Sequence, residues 1–245
     1  MEKTKSVYQL DTPFSSIEWP RISQEDQESI LDLLCNLLSP IGQHRKAYIK
    51  VSKGKRSKRA AKRKRGQDED PQEEVSVPPT PAIASSVHVG LSNITRNLQL
   101  CAAIPIAAAD TEAKEDGDTT LAKPYSIIFV SRSGPPSAFF SHLPQMIAIA
   151  SKSQQLAEPI RLVGFSKDSE ERLSACLGIP RVTSVALRAD DTAQLKAVAD
   201  FVRERVPAIE APWLEETAKG AYHETKINTM QVPIGKKRQK KVVIV

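Results

Sequence analysis

The sequence predicts an α/β domain in which helices cover both faces of one sheet. Three observations carry this prediction. Two short runs, YSIIFV at 125–130 and IRLVGF at 160–165, are apolar at consecutive positions, as strands buried on both faces are. Other segments place apolar residues at helical spacing, as in Leu195, Val198, Phe201 and Val202. From residue 86 to 206 the two patterns alternate, and alternation puts helices on both sides of a sheet. Apolar residues make up 40% of the chain and aromatics 5%, so a core can form and must be mostly aliphatic.

In chain order, residues 1–22 carry Pro13 and Pro20 and read as an irregular N-terminal segment. Ser23 offers an N-cap with Asp26 at the capping-box position, and Ile30, Leu33, Leu34, Leu37 and Leu38 follow at helical spacing. Pro40 and Gly42 are expected to end that helix. Residues 51–84 hold KGKRSKRAAKRKRGQDEDPQEE and then VSVPPTPAIA. They bury too little apolar surface to offset their ordering entropy, so they read as a disordered basic/acidic insertion within the domain. Val87–Val89 reads as a short strand, and Leu91, Ile94 and Leu98 mark one face of a helix. Residues 105–123, rich in Ala, Asp and Thr, read as a second mobile loop.

The loop SRSGPP follows the 125–130 strand. SAFFSHLPQMIAIASKS then reads as helix, which Pro144 either splits or opens at its first position. Phe139 and Phe140 are adjacent, so at most one faces the core. After the 160–165 strand, Ser166 can cap a helix carrying Leu173, Cys176 and Leu177, and Gly178 stands where a C-terminal glycine cap belongs. VTSVAL at 182–187 is the next strand, and the last long helix stops before Pro207. The domain proper is thus 23–206, less the insertion and the loop, and 207–245 is an extended basic tail. Trp213, just past the domain, either folds back on the core or anchors a partner.

Charge is clustered. The net charge is +6, but nine of the thirteen residues from 53 to 65 are cations: Lys53, Lys55, Arg56, Lys58, Arg59, Lys62, Arg63, Lys64 and Arg65. A second cluster is Lys236, Lys237, Arg238, Lys240 and Lys241. Both read as nuclear or nucleolar addresses, and an unstructured polycation also gains affinity for RNA by releasing counterions. Three cysteines without C-x-x-C spacing argue against a disulfide framework or zinc site, and fit a reducing compartment. The four histidines show no ligand spacing. No apolar run approaches the ~20 residues of a membrane span. Walker, G-x-G-x-x-G and G-x-S-x-G motifs are absent, and no paired carboxylates end the buried strands. The sequence therefore predicts no enzyme, no cofactor, no metal and no membrane partner.

Gly90-Leu91-Ser92-Asn93 lies between a strand and a helix. Such a segment is either a plain capped turn or a set of free N–H groups offered to an anion. Arg96, one turn along, adds a guanidinium fork for phosphate or a guanine edge. Arg132, in the loop after the 125–130 strand, is a weaker candidate of the same kind.

In this order GLSNITRNL, YSIIFVSRSGPP, FFSHLPQM, IRLVGFSKDSEERLSACLGIP and RVTSVAL resemble the kink-turn RNA-binding family of ribosomal and small-nucleolar-RNP core proteins. With its basic insertion and RSGPPSAFFSHLPQM, the chain is most similar to the fungal RNase P/RNase MRP subunits of the POP group. The resemblance covers about residues 86–206 and the first helix. It implies a three-layer α/β/α sandwich with a small mixed sheet. It also implies a non-catalytic RNA-binding subunit of nuclear ribonuclease P or MRP, supporting precursor tRNA and rRNA processing in which RNA carries the chemistry. Partners would be a structured RNA, by resemblance the RNase P/MRP RNA, and other subunits of the particle, in the nucleus or nucleolus. The family's loop against the unstacked nucleotide falls on Ile179, Pro180, Arg181, Val182 and Thr183, and its Gly-x-Asn-Glu-x-x-Lys segment on Gly90 to Arg96. Here Ser92 and Asn93 replace the Asn and Glu, and Arg96 replaces the Lys. Asn93 cannot reproduce a carboxylate, so an altered RNA bend is expected rather than a standard kink-turn. The alternatives are a snoRNP or ribosomal kink-turn protein, and a nuclear protein-interaction module whose basic runs serve import only.

Overall fold

The structure, a computed structural model, describes residues 4–11, 17–49, 78–103, 123–132, 139–166, 168–188, 192–218, 220 and 224–234. The chain divides into two compact units, residues 17–210 and the pair 1–16 with 211–245.

The larger unit is a three-layer α/β/α sandwich. Its strands are β2 (Val87–Val89), β3 (Tyr125–Ser131), β4 (Arg161–Phe165) and β5 (Ser184–Arg188), in the order β2-β5-β3-β4. β5 runs antiparallel to β2 and β3, while β3 and β4 are parallel, so the sheet is mixed. Successive side chains of a strand point to opposite faces, and β3 supplies both cores. Ile127 and Phe129 meet α1 (Gln24–Tyr48), α4 (Ser169–Leu177) and α5 (Ala193–Arg205) through Leu34, Leu173 and Val202. Ile128 and Val130 meet α2 (Leu91–Ala103) and α3 (Leu143–Ser153) through Leu98 and Ile147. A register shift between Tyr125 and Ile127 turns Tyr125 to the α2 side as well.

Ser23 caps α1, its hydroxyl accepting from the Asp26 N–H at 3.1 Å. The helix does not stop at Pro40 as the sequence predicts. It runs on to Tyr48 with the proline inside. Pro40 forfeits one backbone hydrogen bond, but the turns beyond it pack on α4. There a Cβ on Gly42 would lie 1.7 Å from the Cys176 carbonyl oxygen, and Lys46 Nζ donates to Ala175 O at 3.1 Å. Gly42 is thus the close-approach point of two helices and not a helix stop. Beside it, burial and a hydrogen bond with Cys176 push the Cys35 thiol up to about 12.

Other expectations shift by a few residues. Residues 78–84, expected to be disordered, make defined contacts: His44 Nε2 donates to Pro78 O at 2.9 Å, and Ala82–Ser86 forms a 3-10 turn into β2. Lys123 is likewise held, its carbonyl accepting from Asn97 Nδ2 at 3.0 Å. The rest of both expected mobile stretches lies outside the described residues. Pro144 opens α3 in its first turn, with Phe140 buried and Phe139 exposed. Asp168, not Ser166, precedes α4, and it makes no side-chain cap bond; the Ser166 N–H donates to Gln27 Oε1 at 3.0 Å. Gly178 caps α4 at φ +63°.

The smaller unit corrects the reading of residues 1–22 as irregular and of 207–245 as only an extended tail. Thr4–Asp11 forms β1 and Lys226–Pro233 forms β6, paired antiparallel residue for residue, and Trp213–Ala218 is a short helix, α6. Neither strand advertises itself locally, since each has its partner at the far end of the sequence. Tyr8, Leu10, Ile227 and Met230 are exposed on this ribbon.

Candidate nucleic-acid interface

The C-terminal ends of β2, β3 and β4 and the N-terminal end of β5 form one end of the sheet. Three backbone hydrogen bonds knit it together. The Gly90 N–H donates to Ser184 O at 3.0 Å, Ser131 N–H to Thr183 O at 2.8 Å, and Arg132 N–H to Phe165 O at 2.9 Å. The segments around Gly90, Arg132 and Thr183, separate in sequence, are therefore neighbours on a single rim.

At one end of the rim, Gly90 has φ +97°, a conformation that favours glycine, and among the described residues no atom beyond its chain neighbours lies within 4 Å of where its Cβ would be. Its carbonyl accepts the first helical bond, from Ile94 N–H at 3.2 Å. The N–H groups of Leu91, Ser92 and Asn93 then belong to the first turn of α2 and have no intrahelical partner. Asn93 Nδ2 donates weakly to Val89 O at 3.4 Å, which leaves its Oδ1 as the acceptor for a ligand. Ser92, Asn93 and Arg96 are exposed.

In the middle stands the turn after α4. Arg181 is exposed at φ +58°, a strained conformation for a residue with a side chain. Pro180 is exposed, and Ile179 packs partly on the core. Val182 departs from the expected contact set. Its side chain is buried in the core and its N–H donates to Ser174 Oγ at 2.9 Å, so it holds the turn rather than facing outward. Thr183 is half-buried and contributes its carbonyl to the rim.

At the far end, the Arg132 guanidinium lies over the Trp19 ring, 4.8 Å from its centroid. Trp19 was not legible as a site residue: the only signal is an aromatic beside a cation in WPR.

Beside α2, Arg96, Asn93, His88 and Arg188 line a groove of about 320 Å³. Arg188 is a second residue that the sequence did not offer. Burial, and then the charge of Arg188, lower the His88 pKa below its ordinary value. The His88 Nδ1 lies 2.6 Å from the Tyr125 hydroxyl, which burial keeps protonated. An unfolded chain takes up a proton near pH ~6.5 that the folded chain refuses until lower pH. This part of the stability is full above ~6.5 and is lost as pH falls from there toward the folded-state pKa. The urea midpoint should therefore fall on acidification through that window, and fall less in His88→Gln. Parallel pH curves for the two chains would contradict the assignment.

The basic clusters Lys53–Arg65 and Lys236–Lys241 lie outside the described residues. Among the described residues no group of His, Cys, Asp and Glu could hold a metal ion, and no helix is long and apolar enough to cross a membrane.

A family model described as RNase P subunit Pop3 matches residues 75–216, more than half of the chain. No curated protein matches it.

Proposed function

The chain belongs to the RNase P subunit Pop3 family, and from that premise we propose that its sheet-end rim binds a bent segment of the particle's RNA without taking part in the cleavage chemistry. The observation that carries this reading is the convergence of Gly90, Arg132 and Thr183, with Arg181 two residues before it, on one hydrogen-bonded rim. Three separate segments there supply backbone N–H groups at a helix start and the exposed residues Arg132 and Arg181, with exposed Arg96 one turn along α2. Phosphate is met by the N–H groups and guanidinium forks, and base edges by Asn93 Oδ1 and Arg96. Among the described residues the one histidine or carboxylate lining the groove with Asn93 and Arg96 is His88, which is bonded to the Tyr125 hydroxyl, and a single histidine cannot serve as both acid and base, so on this reading the rim orients RNA without moving protons. The purified chain with Mg²⁺ is expected to leave precursor tRNA intact. The particle's precursor tRNA and rRNA processing, contact with its other subunits, and a nuclear or nucleolar site of action follow from the same family premise.

Electrophoretic retention of bent and straight RNA tests the reading. A chain with both basic clusters neutralised should still prefer the bent RNA. Loss of all retention would favour a protein-interaction module whose basic runs serve import. Arg96→Ala should cost ~1–3 kcal/mol of preference for the bent RNA and leave weak non-specific binding nearly unchanged. Gly90→Val should cost more, since among the described residues no neighbour outside the adjoining chain lies within 4 Å, so a branched side chain would face the ligand in addition to straining the positive φ. Asn93→Glu should shift preference toward a standard kink-turn. Identical affinities for both RNAs across this set would remove the rim as the site.

A further inference from the structure

An open cavity of about 1060 Å³ lies at the C-terminal ends of β3 and β4, walled by Trp19, Arg21, Gln27, Arg132, Ser141 and Ser166. Its floor is Gly164. A Cβ there would stand 3.0 Å from Arg132 Cδ and 3.3 Å from two carbons of the Trp19 six-membered ring. The glycine is needed for room: the bare strand lets both side chains lie down on it. The guanidinium over the indole is at cation–π distance. Packed this way, it loses little further freedom when a second flat group approaches.

The lining narrows the ligand. Among the described residues, two arginines and a tryptophan line this cavity and no carboxylate does. A neighbouring cavity of about 320 Å³, which shares Gln27 and Ser166, is lined by Glu28, Asp32 and Asp168 with a single cation, Arg172, which is paired with Asp32. An anion with a flat face is admitted by the first and repelled by the second. Arg21 pairs with Glu18 at 3.3 Å, but both side chains are largely exposed, so a phosphate displaces that contact at little cost. The seat is also continuous with the rim, through the Arg132 N–H to Phe165 O bond. With strands ~4.8 Å apart, the β2 and β4 ends of the sheet are separated by roughly 14 Å.

We propose that Trp19 and Arg132 form a stacking seat for an unpaired nucleobase, with Arg21 meeting the adjoining phosphate. The proposal rests on the RNA-binding reading of the rim and adds a second contact to it at the opposite edge of the sheet. Aromatic rings and guanidinium planes are the surfaces on which unstacked bases are held.

The chain has two tryptophans, so Trp213→Phe leaves Trp19 as its sole indole reporter. This full-length variant is titrated with a hairpin RNA carrying an unpaired purine bulge, and with the same hairpin fully paired. Trp19 emission should change saturably with the bulged hairpin and not with the paired one. In the natural background, Trp19→Ala and Arg132→Ala should each weaken binding of the bulged hairpin by roughly 5- to 150-fold, the worth of one stacked base. Arg132 is exposed, so its variant keeps the fold if Trp19→Ala does not. Retention of the bulged hairpin with unchanged emission, and with full affinity in Arg132→Ala, would overturn the seat and leave the rim reading intact. Failure to retain either hairpin would defeat the rim reading and the seat together. Emission that responds to another subunit of the particle but to neither RNA would give the seat to a protein side chain and refute the proposal.

Discussion

Gly42→Ala should lower the unfolding free energy by about 3 kcal/mol, at the upper end of what overpacking costs. For a chain of this size that is a fall in melting temperature of about 6–12 °C. The added methyl would occupy a point 1.7 Å from the Cys176 carbonyl oxygen, and the obstacle is backbone, which cannot swing aside as a side chain can. Relief requires α1 and α4 to move apart. That would weaken the Lys46 bond to Ala175 O and the Cys35–Cys176 contact, and disturb the Gly178 cap from which the Arg181 turn leaves. Reduced affinity for bent RNA should accompany the lost stability. Gly90→Ala is the control: it meets no neighbour and carries only the strain of its positive φ, on the order of 1 kcal/mol. Thermal unfolding followed by circular dichroism decides the matter. Equal melting temperatures for Gly42→Ala and the natural chain would show that the two helices do not approach so closely.

Deleting Lys53 to Arg65 should produce the largest loss of RNA affinity, on the order of 10³-fold at low salt, and the loss should be alike for bent and straight RNA. Nine cations leave with that segment. If all nine meet phosphates, the slope of log affinity against log salt flattens by about 6–8. The melting temperature should stay unchanged. Filter binding across a salt series reads both quantities. An unaltered slope would make the run an import address alone.

The two kinds of variant differ in what the sequence disclosed. The buried strands β3 and β4, the glycine cap at 178, the last helix of the sandwich and the Gly90 helix start were legible because their signals are local: consecutive apolar residues, one glycine, one period. The extension of α1 past Pro40 was not. A proline inside a helix is unfavourable locally, and only the tertiary contact of Gly42 with α4 outweighs it. The same holds for Val182, whose apolar side chain was read as a ligand contact when the fold uses it as core. Trp19 with Arg132, and Arg188 beside His88, are pairs created by the fold from residues far apart in the chain. The β1–β6 ribbon is the extreme case.

That ribbon also sets an order of events during synthesis. β1 leaves the ribosome before anything else described here, and β6 after everything from residue 12 to residue 225 has been made. At about 5–20 residues per second, the first strand waits roughly 10–40 s for its partner. The sandwich has by then received every strand and helix it needs, so it can close while the ribbon is still half made. Translation halted before β6 would release a chain with a complete sandwich and an unmatched β1. Residues such as Tyr8 and Leu10 would then stand on a strand open along both edges, the form in which β-structure recruits other chains. Pairing with β6 closes one of those edges, and so distinguishes a chain that carries β6 from a product interrupted before it.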